Sequence, residues 1–111
     1  MKKITLAEAQ IYSPPKHNDM KAMRLHGKDV SGCENFWVGL SHFLPGGGAE
    51  KDASPSEKVY VVLSGEVTVK TATQTVILGP TDSLYIPPNE EREVVNNTRM
   101  PASMLVISPS S

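Results

Sequence analysis

The chain has 111 residues, of which 39% are hydrophobic and 21% are charged, a composition typical of one globular domain rather than a disordered segment. Eleven basic residues oppose twelve acidic ones, giving a net charge of −1, and the absence of a basic stripe argues against a nucleic-acid partner. No apolar run is long enough to span a membrane, and the polar stretch at 7–10 argues against a signal peptide. Cys33, the single cysteine, cannot form an internal disulfide, so we expect a cytoplasmic protein.

Turn signals recur along the chain at the spacing of an all-β sandwich or barrel, and no segment shows helical periodicity. The first twenty residues, which include Pro14-Pro15, are not strand-like and are expected to form an N-terminal arm. The predicted strands, in chain order, are Lys21–His26, Phe36–Leu44, Val59–Leu63, Glu66–Thr71, Thr75–Leu78, Ser83–Ile86, Glu93–Val95 and Ser103–Ile107. The glycine run at 46–48 is expected to break the chain, and 108–111 to form a polar tail.

Two stretches match a pair of spaced motifs without a gap. Residues 45–65, PGGGAEKDASPSEKVYVVLSG, fit a frame that reads Gly, five residues, His-x-His, three residues, Glu, six residues, Gly. The two glycines are present, but the His, His and Glu positions hold Asp52, Ser54 and Lys58. Residues 81–96, TDSLYIPPNEEREVVN, fit the second frame with its proline and asparagine kept and with Arg92 at its His position.

On these residues the chain resembles the cupin superfamily, and small single-domain cupins in particular, from about Phe36 to Ile107. The resemblance implies a single domain over 1–111 with the all-β double-stranded β-helix, or jelly-roll, barrel at 36–107. It also implies a functional site inside the barrel. In small cupins an N-terminal arm often crosses to a partner subunit, and the outward apolar positions of a small barrel are usually covered by dimerisation, so we expect a homodimer.

Strand alternation predicts which motif residues face the interior. The residues expected inside are Lys58, Tyr60, Val62, Arg92, Val94 and Asn96, with Val59, Val61 and Leu63 outside and with Asp52 and Ser54 at the mouth. A transition metal bound in the usual cupin way needs imidazole and carboxylate ligands. Two cations at those positions would repel it, so the sequence predicts no metal and no cofactor here.

Converging cations in an apolar barrel instead favour an anionic ligand. Arg92 suits a bidentate carboxylate contact, and Lys58 is a candidate base or Schiff-base former because burial lowers a lysine pKa. Tyr60 could donate a proton, and Asp52 could neutralise one cation. Ser54 and His42 are further candidate ligand contacts, although alternation leaves two facings open for His42.

The leading hypothesis is therefore a metal-independent isomerase, lyase or dehydratase that acts on a small carboxylate or carbonyl metabolite. The same cations would also suit a binding or sensory module without turnover. A third hypothesis is a metal-dependent oxygenase whose metal is held away from the motif by His17, His26 or His42, of which His17 lies in the arm, within reach of the pocket of its own or a partner subunit. If the site has decayed instead, Asp52, Lys58 and Arg92 form a salt-bridge network.

Overall fold

A computed structural model describes residues 1–110, and Ser111, the end of the predicted polar tail, lies outside the described residues. Within 1–110 nine strands, all paired antiparallel, form one sheet that curls into a nearly closed barrel, which confirms the all-β jelly-roll class. The strands are β1 Gln10–Tyr12, β2 His17–His26, β3 Phe36–Asp52, β4 Lys58–Ser64, β5 Val67–Lys70, β6 Thr75–Leu78, β7 Ser83–Ile86, β8 Arg92–Val95 and β9 Ala102–Pro109. A 3-10 turn at Leu6–Glu8 and a single helical turn, α1, at Lys28–Ser31 are the described helices.

The sheet is organised around β3, which pairs with three other strands. The strand order is β6-β5-β8-β3-β9-β4-β7, with β2 also on β3 and β1 on the outside of β2. β2 pairs with β3 at residues 38–43 and again at 48–49. The other neighbour of β3 is β9 at residues 36–43 and β8 at residues 48–52, so β3 joins these two strands in one sheet.

The prediction that the glycine run breaks the chain is wrong, because β3 continues through it. Gly46 has a positive φ of 83°, a backbone conformation that bends the strand and that favours glycine. A Cβ on Gly48 would overlap the carbonyl of Val94 on β8, and one on Gly47 would overlap the carbonyl of Asp19 on β2. The glycines therefore permit close backbone packing where β3 changes partner.

The prediction of a non-strand arm over the first twenty residues is also wrong. β1 pairs with β2, and β2 already begins at His17. Ile4 and Ala9 pack on Met23 and Leu40 on the outer face of the sheet. The segment is therefore held by its own barrel, because β2 offers an open edge and an apolar outer strip that the segment covers. At the other end, β9 extends beyond the predicted strand into the expected tail and buries Ser108.

The interior and exterior faces of β4 follow the predicted alternation. Tyr60 and Val62 are 3% and 0% exposed, whereas Leu63 is 48% exposed on the outer face. The interior cluster fills the barrel with side chains from seven strands, namely Phe43, Tyr60, Val62, Val67, Val69, Leu78, Ile86, Val94, Ala102 and Met104. No helix within 1–110 is both long and apolar enough to cross a bilayer.

The motif asparagine, Asn96, is fully buried, and its side-chain amide is hydrogen-bonded to three backbone groups and to the Thr98 hydroxyl. Its Nδ2 donates to the carbonyls of Phe43 and Met100, at 3.3 and 2.8 Å, and its Oδ1 accepts from the backbone N–H of Thr98 at 3.0 Å. Because buried backbone carbonyls need partners, Asn96 fixes the loop between β8 and β9. Its contribution is to the fold rather than to the interior site.

Candidate functional site

A cavity of about 220 Å³ lies inside the barrel, and its lining divides by depth. Its deeper wall is apolar and largely buried, formed by Ala22, Phe43, Ala49, Val94, Met104 and Val106. Its more exposed wall carries the polar and aromatic groups, which are Tyr12, His17, Arg24, Trp37 and Lys58, with Pro14 beside them. Tyr60 and Ser41, which also line the cavity, are buried. A ligand would therefore meet a charged rim and an apolar floor.

Lys58 begins β4 and points into the cavity, as the alternation predicted. Its Nζ lies 5.5 Å from the ring centroid of Trp37, a cation–π contact. Partial burial lowers the pKa of Lys58 from its ordinary value of 10.5, and the nearby positive charge of Arg92 lowers it further. The ion pairs among residues 1–110 join Lys16 to Asp52 and Lys51 to Glu91. Lys58 therefore has no carboxylate as an ion-pair partner among these residues.

Tyr60 and Arg92 form a hydrogen-bonded pair in the barrel wall. Arg92 Nε donates to the Tyr60 hydroxyl oxygen at 3.2 Å, and its Nη1 donates to the Asp52 carbonyl at 2.8 Å. Tyr60 lines the cavity, whereas Arg92 does not. Because the phenol oxygen accepts from Arg92, its own O–H proton remains available to another acceptor. Tyr60 faces the cavity as predicted, whereas Arg92 contacts Tyr60 without lining the cavity itself.

Asp52 and Ser54 lie beside the site without lining the cavity. The Asp52 carboxylate, 47% exposed, accepts from the Ala53 N–H at 2.9 Å and from Lys16 Nζ at 3.5 Å, and both contacts lower its pKa. Ser54 Oγ accepts from the Ser56 N–H at 3.2 Å and serves the local turn. The salt-bridge network of the decayed-site reading does not form, because the Asp52 side chain turns outward to Lys16 and only its carbonyl meets Arg92.

The facing that the sequence left open for His42 is settled by its neighbours on β3. Ser41 and Phe43 line the cavity, so His42 lies on the opposite face, where its Nδ1 is 2.7 Å from Ser103 Oγ. The structure therefore does not bring His42 to the cavity as a ligand contact. His26 is likewise engaged elsewhere, with its Nδ1 3.0 Å from Ser31 Oγ in α1.

Four residues on the more exposed wall, the rim of the cavity, were not among the predicted ligand contacts. They are Tyr12, His17, Arg24 and Trp37, and only for His17 had the sequence left an approach to the pocket open. Arg24 follows the inward Ala22 by two residues on β2, so alternation along a longer β2 would have pointed to it. Trp37 likewise shares the inward face of β3 with Ser41. Tyr12 and His17 reach the cavity only because the first twenty residues pair with the barrel, and the sequence carried no local signal for that pairing.

His17 has one ring nitrogen committed to the backbone. Its Nδ1 lies 2.7 Å from the Pro15 carbonyl, which can only accept, so Nδ1 carries a proton and Nε2 of the neutral ring is an acceptor. Lys16 and Asp19, on either side, have positive φ values of 60° and 48°. Non-glycine residues in this conformation are uncommon, and such strain concentrates at functional sites.

The residues at the four motif positions do not fit the divalent metal that the cupin frame implies. Lys58 and Arg92 bring positive charge to two of these positions, and the Asp52 carboxylate is turned away. Among residues 1–110 there is no group of three or more His, Cys, Asp or Glu side chains arranged to hold a metal ion elsewhere. The metal-free state of the purified protein stays a prediction.

Comparison with known proteins gives the family. The Cupin domain family matches residues 39–108. A Mycobacterium tuberculosis (strain ATCC 25618 / H37Rv) protein named a beta-D-galactosidase is 40% identical over 106 residues, which cover 96% of this chain and 91% of that protein.

Solved structures share the fold at low sequence identity. A polyketide cyclase from Streptomyces resistomycificus has a TM-score of 0.89 at 19% identity, covering 100% of this chain and 80% of that one. A sugar phosphate isomerase from Silicibacter pomeroyi has a TM-score of 0.83 at 20% identity, covering 99% of this chain and 76% of that one. The matched domain and the barrel agree, and the chain belongs to the cupin family.

Proposed function

We propose that the barrel binds a small carboxylate or carbonyl metabolite and catalyses proton transfer next to its carbonyl group, as an isomerase, lyase or dehydratase does. The observation that carries this proposal is the position of Lys58. Its amine lies partly buried on the wall of the cavity, and no carboxylate within 1–110 forms an ion pair with it. A cation left uncompensated in an apolar cavity favours either an anionic ligand or its own neutral form.

The lowered pKa of Lys58 gives its amine a role as a base. At a given pH a larger fraction of the amine is neutral than in a solvated lysine, and a neutral amine can remove a proton from carbon. Once protonated, the same group stabilises the negative charge that develops on the ligand. Lys58 is therefore the proposed catalytic base.

Tyr60 is the proposed acid, and Arg92 positions it. The Arg92 Nε bond occupies a lone pair of the phenol oxygen, which leaves the Tyr60 O–H free to donate to a ligand oxygen. In the proposed step Lys58 takes a proton from the carbon beside the carbonyl, the C–H electron pair forms a C=C bond, and the carbonyl oxygen takes the proton of Tyr60. Where the deprotonated carbon bears a hydroxyl, return of the Lys58 proton to the former carbonyl carbon, with the hydroxyl proton passing to Tyr60, gives the isomer. Where the next carbon bears a leaving group, that group departs with the Lys58 proton while the enol proton returns to Tyr60, which gives the lyase or dehydratase product.

Exchange of the ligand's carbon-bound proton with solvent tests this proposal. A panel of 2-oxo acids and ketones is incubated in D₂O with wild type, Lys58→Met and Tyr60→Phe, and loss of the α-proton signal is followed by NMR. We expect enzyme-dependent exchange for at least one compound, abolished in Lys58→Met and slowed about 100-fold or more in Tyr60→Phe. Binding without exchange would favour a non-catalytic sensory module. If no compound of the panel binds and none exchanges its proton, the proposal is refuted.

A second candidate, hydrolysis of β-galactosides, is favoured by the 40% identity to the protein named a beta-D-galactosidase. Most glycoside hydrolases use two carboxylates that flank the bond to be cleaved. No Asp or Glu lines the cavity within 1–110, and Glu57, close in sequence, accepts from the exposed Tyr85 hydroxyl at 3.0 Å. The geometry therefore supports the first proposal better. Release of nitrophenol from 4-nitrophenyl β-D-galactoside, lost in Lys58→Met, would reverse that order.

A further inference from the structure

We infer that Arg24 forms the anion subsite of this cavity and that the ligand is a 2-oxo or 2-hydroxy carboxylic acid with an apolar substituent. The inference rests on the proposed function and names its substrate class. It assigns the ligand carboxylate to Arg24, the oxygen at the second carbon to Tyr60, the carbon-bound proton to Lys58, and the substituent to the apolar floor. Arg24 belongs to neither of the two cupin motifs.

The first support is how the Arg24 head group is held. Its guanidinium carbon lies 5.1 Å from the centroid of the Tyr12 ring and 4.6 Å from that of Trp37. Its Nε is shut off from solvent and has no hydrogen-bond partner among residues 1–110. These two cation–π contacts hold the guanidinium in place, while no described carboxylate pairs with it. A preorganised guanidinium beside a cavity suits a planar carboxylate, which meets its two Nη groups side by side.

The second support is the shared aromatic ring that links Arg24 to Lys58. The Lys58 ammonium lies 5.5 Å from the centroid of the same Trp37 ring that Arg24 stacks on. The shared ring therefore brings both positive groups to one part of the cavity, where an anionic ligand is attracted to both. A carboxylate held at Arg24 would direct the neighbouring carbons of the ligand toward Lys58, the proposed base.

The third support is the chemistry of the floor. Phe43, Val94 and Met104 are 2–3% exposed and contribute apolar surface to the cavity wall. A ligand with its charged end at the rim leaves its other end against these side chains, where a polar group would lose hydrogen bonds to water. A cavity of about 220 Å³ accommodates an acid with a short branched or aromatic substituent.

Calorimetry with a matched acid and amide tests the subsite. The probes are 4-methyl-2-oxopentanoate and its uncharged amide, measured against wild type, Arg24→Gln and Arg24→Lys. Arg99→Gln, at an exposed loop position, is the control for losing one positive charge. We expect the acid to bind wild type and Arg99→Gln equally, and Arg24→Gln to bind it at least roughly tenfold more weakly. Arg24→Lys, which keeps the charge without the fork, should fall between them, and the amide should bind wild type and Arg24→Gln alike.

The outcomes separate this inference from the proposed function. Equal affinity of wild type for acid and amide, or an Arg24→Gln affinity within about twofold of wild type, would overturn the Arg24 assignment. Lys58→Met would in that case still abolish proton exchange, and the proposed function would stand. If wild type binds neither probe and only the ketones of the exchange panel react, the ligand class is wrong. If Arg24→Gln does not fold, Arg24→Lys becomes the deciding variant. Binding of the acid to Arg24→Lys as tightly as to wild type would refute the bidentate contact between the guanidinium and the carboxylate.

Discussion

The Arg92–Tyr60 hydrogen bond gives the sharpest test of how the cavity wall is built. Arg92→Met removes two donated bonds, to the Tyr60 hydroxyl at 3.2 Å and to the Asp52 carbonyl at 2.8 Å, while Tyr60→Phe removes only the first. A double-mutant cycle isolates the shared bond, since the Asp52 contact is present in both Tyr60 states. A hydrogen bond to a charged group contributes about 1.5–3 kcal/mol. The 3.2 Å length and the partial exposure of Arg92 reduce our expected coupling to about 1 kcal/mol.

Urea unfolding of wild type, both single variants and the double variant measures that coupling. For a domain of this size, 1 kcal/mol corresponds to roughly 4–8 °C in Tm, so thermal unfolding provides an independent check. Arg92→Met alone should cost more than Tyr60→Phe alone, because it also leaves the Asp52 carbonyl without this donor. A coupling below about 0.3 kcal/mol would mean that the two side chains act independently, and would refute the role of Arg92 in positioning Tyr60.

Three further predictions concern charge, assembly and metal. Since burial depresses the pKa of Lys58, the folded chain loses this proton before the unfolded chain, so stability should rise with pH between the lowered pKa and 10.5; Lys58→Met should flatten that rise in urea titrations. Light scattering at micromolar concentration should give a homodimer, twice the chain mass of 12.0 kDa, because Leu63 is exposed and Val59 and Val61 are only partly buried on the outer face; a monomer would contradict this. Elemental analysis should find no stoichiometric zinc, iron, manganese or nickel, and chelation should leave Tm unchanged, whereas about one metal per chain would refute the metal-free site.

The barrel could be predicted from the sequence because its motifs are built on backbone geometry as much as on ligands. Gly65, with a φ of 75° and with Ala102 packed against it, and the fully buried Asn96 are kept for reasons of turn and loop structure that do not depend on a metal. Alternation from Lys58 then placed Tyr60 and Val62 correctly, since a strand has only two faces.

The rim could not be predicted in the same way, because it depends on contacts between segments distant in sequence. Tyr12 reaches the cavity through the pairing of β1 with β2, and no local pattern marks three residues between polar turns as a strand. The motif position of Arg92 indicated its facing but not that Tyr60 and a backbone carbonyl would take its donors. The outward turn of Asp52 follows from Lys16, which belongs to the same mispredicted segment.

The three-residue strand β1 has a consequence for how a ligand reaches the floor of the cavity. It pairs with β2 alone and forms the outer edge of the sheet, whereas the floor is built on strands with neighbours on both sides. Short edge strands open locally at a much smaller free-energy cost than central ones. We therefore expect local opening of β1 to move Tyr12 and Pro14 while Phe43 and Met104 stay packed, so that ligand exchange does not require the barrel to unfold. Amide hydrogen exchange should accordingly be fast at 10–13 and slow at 38–43 of β3, which pair with strands on both sides.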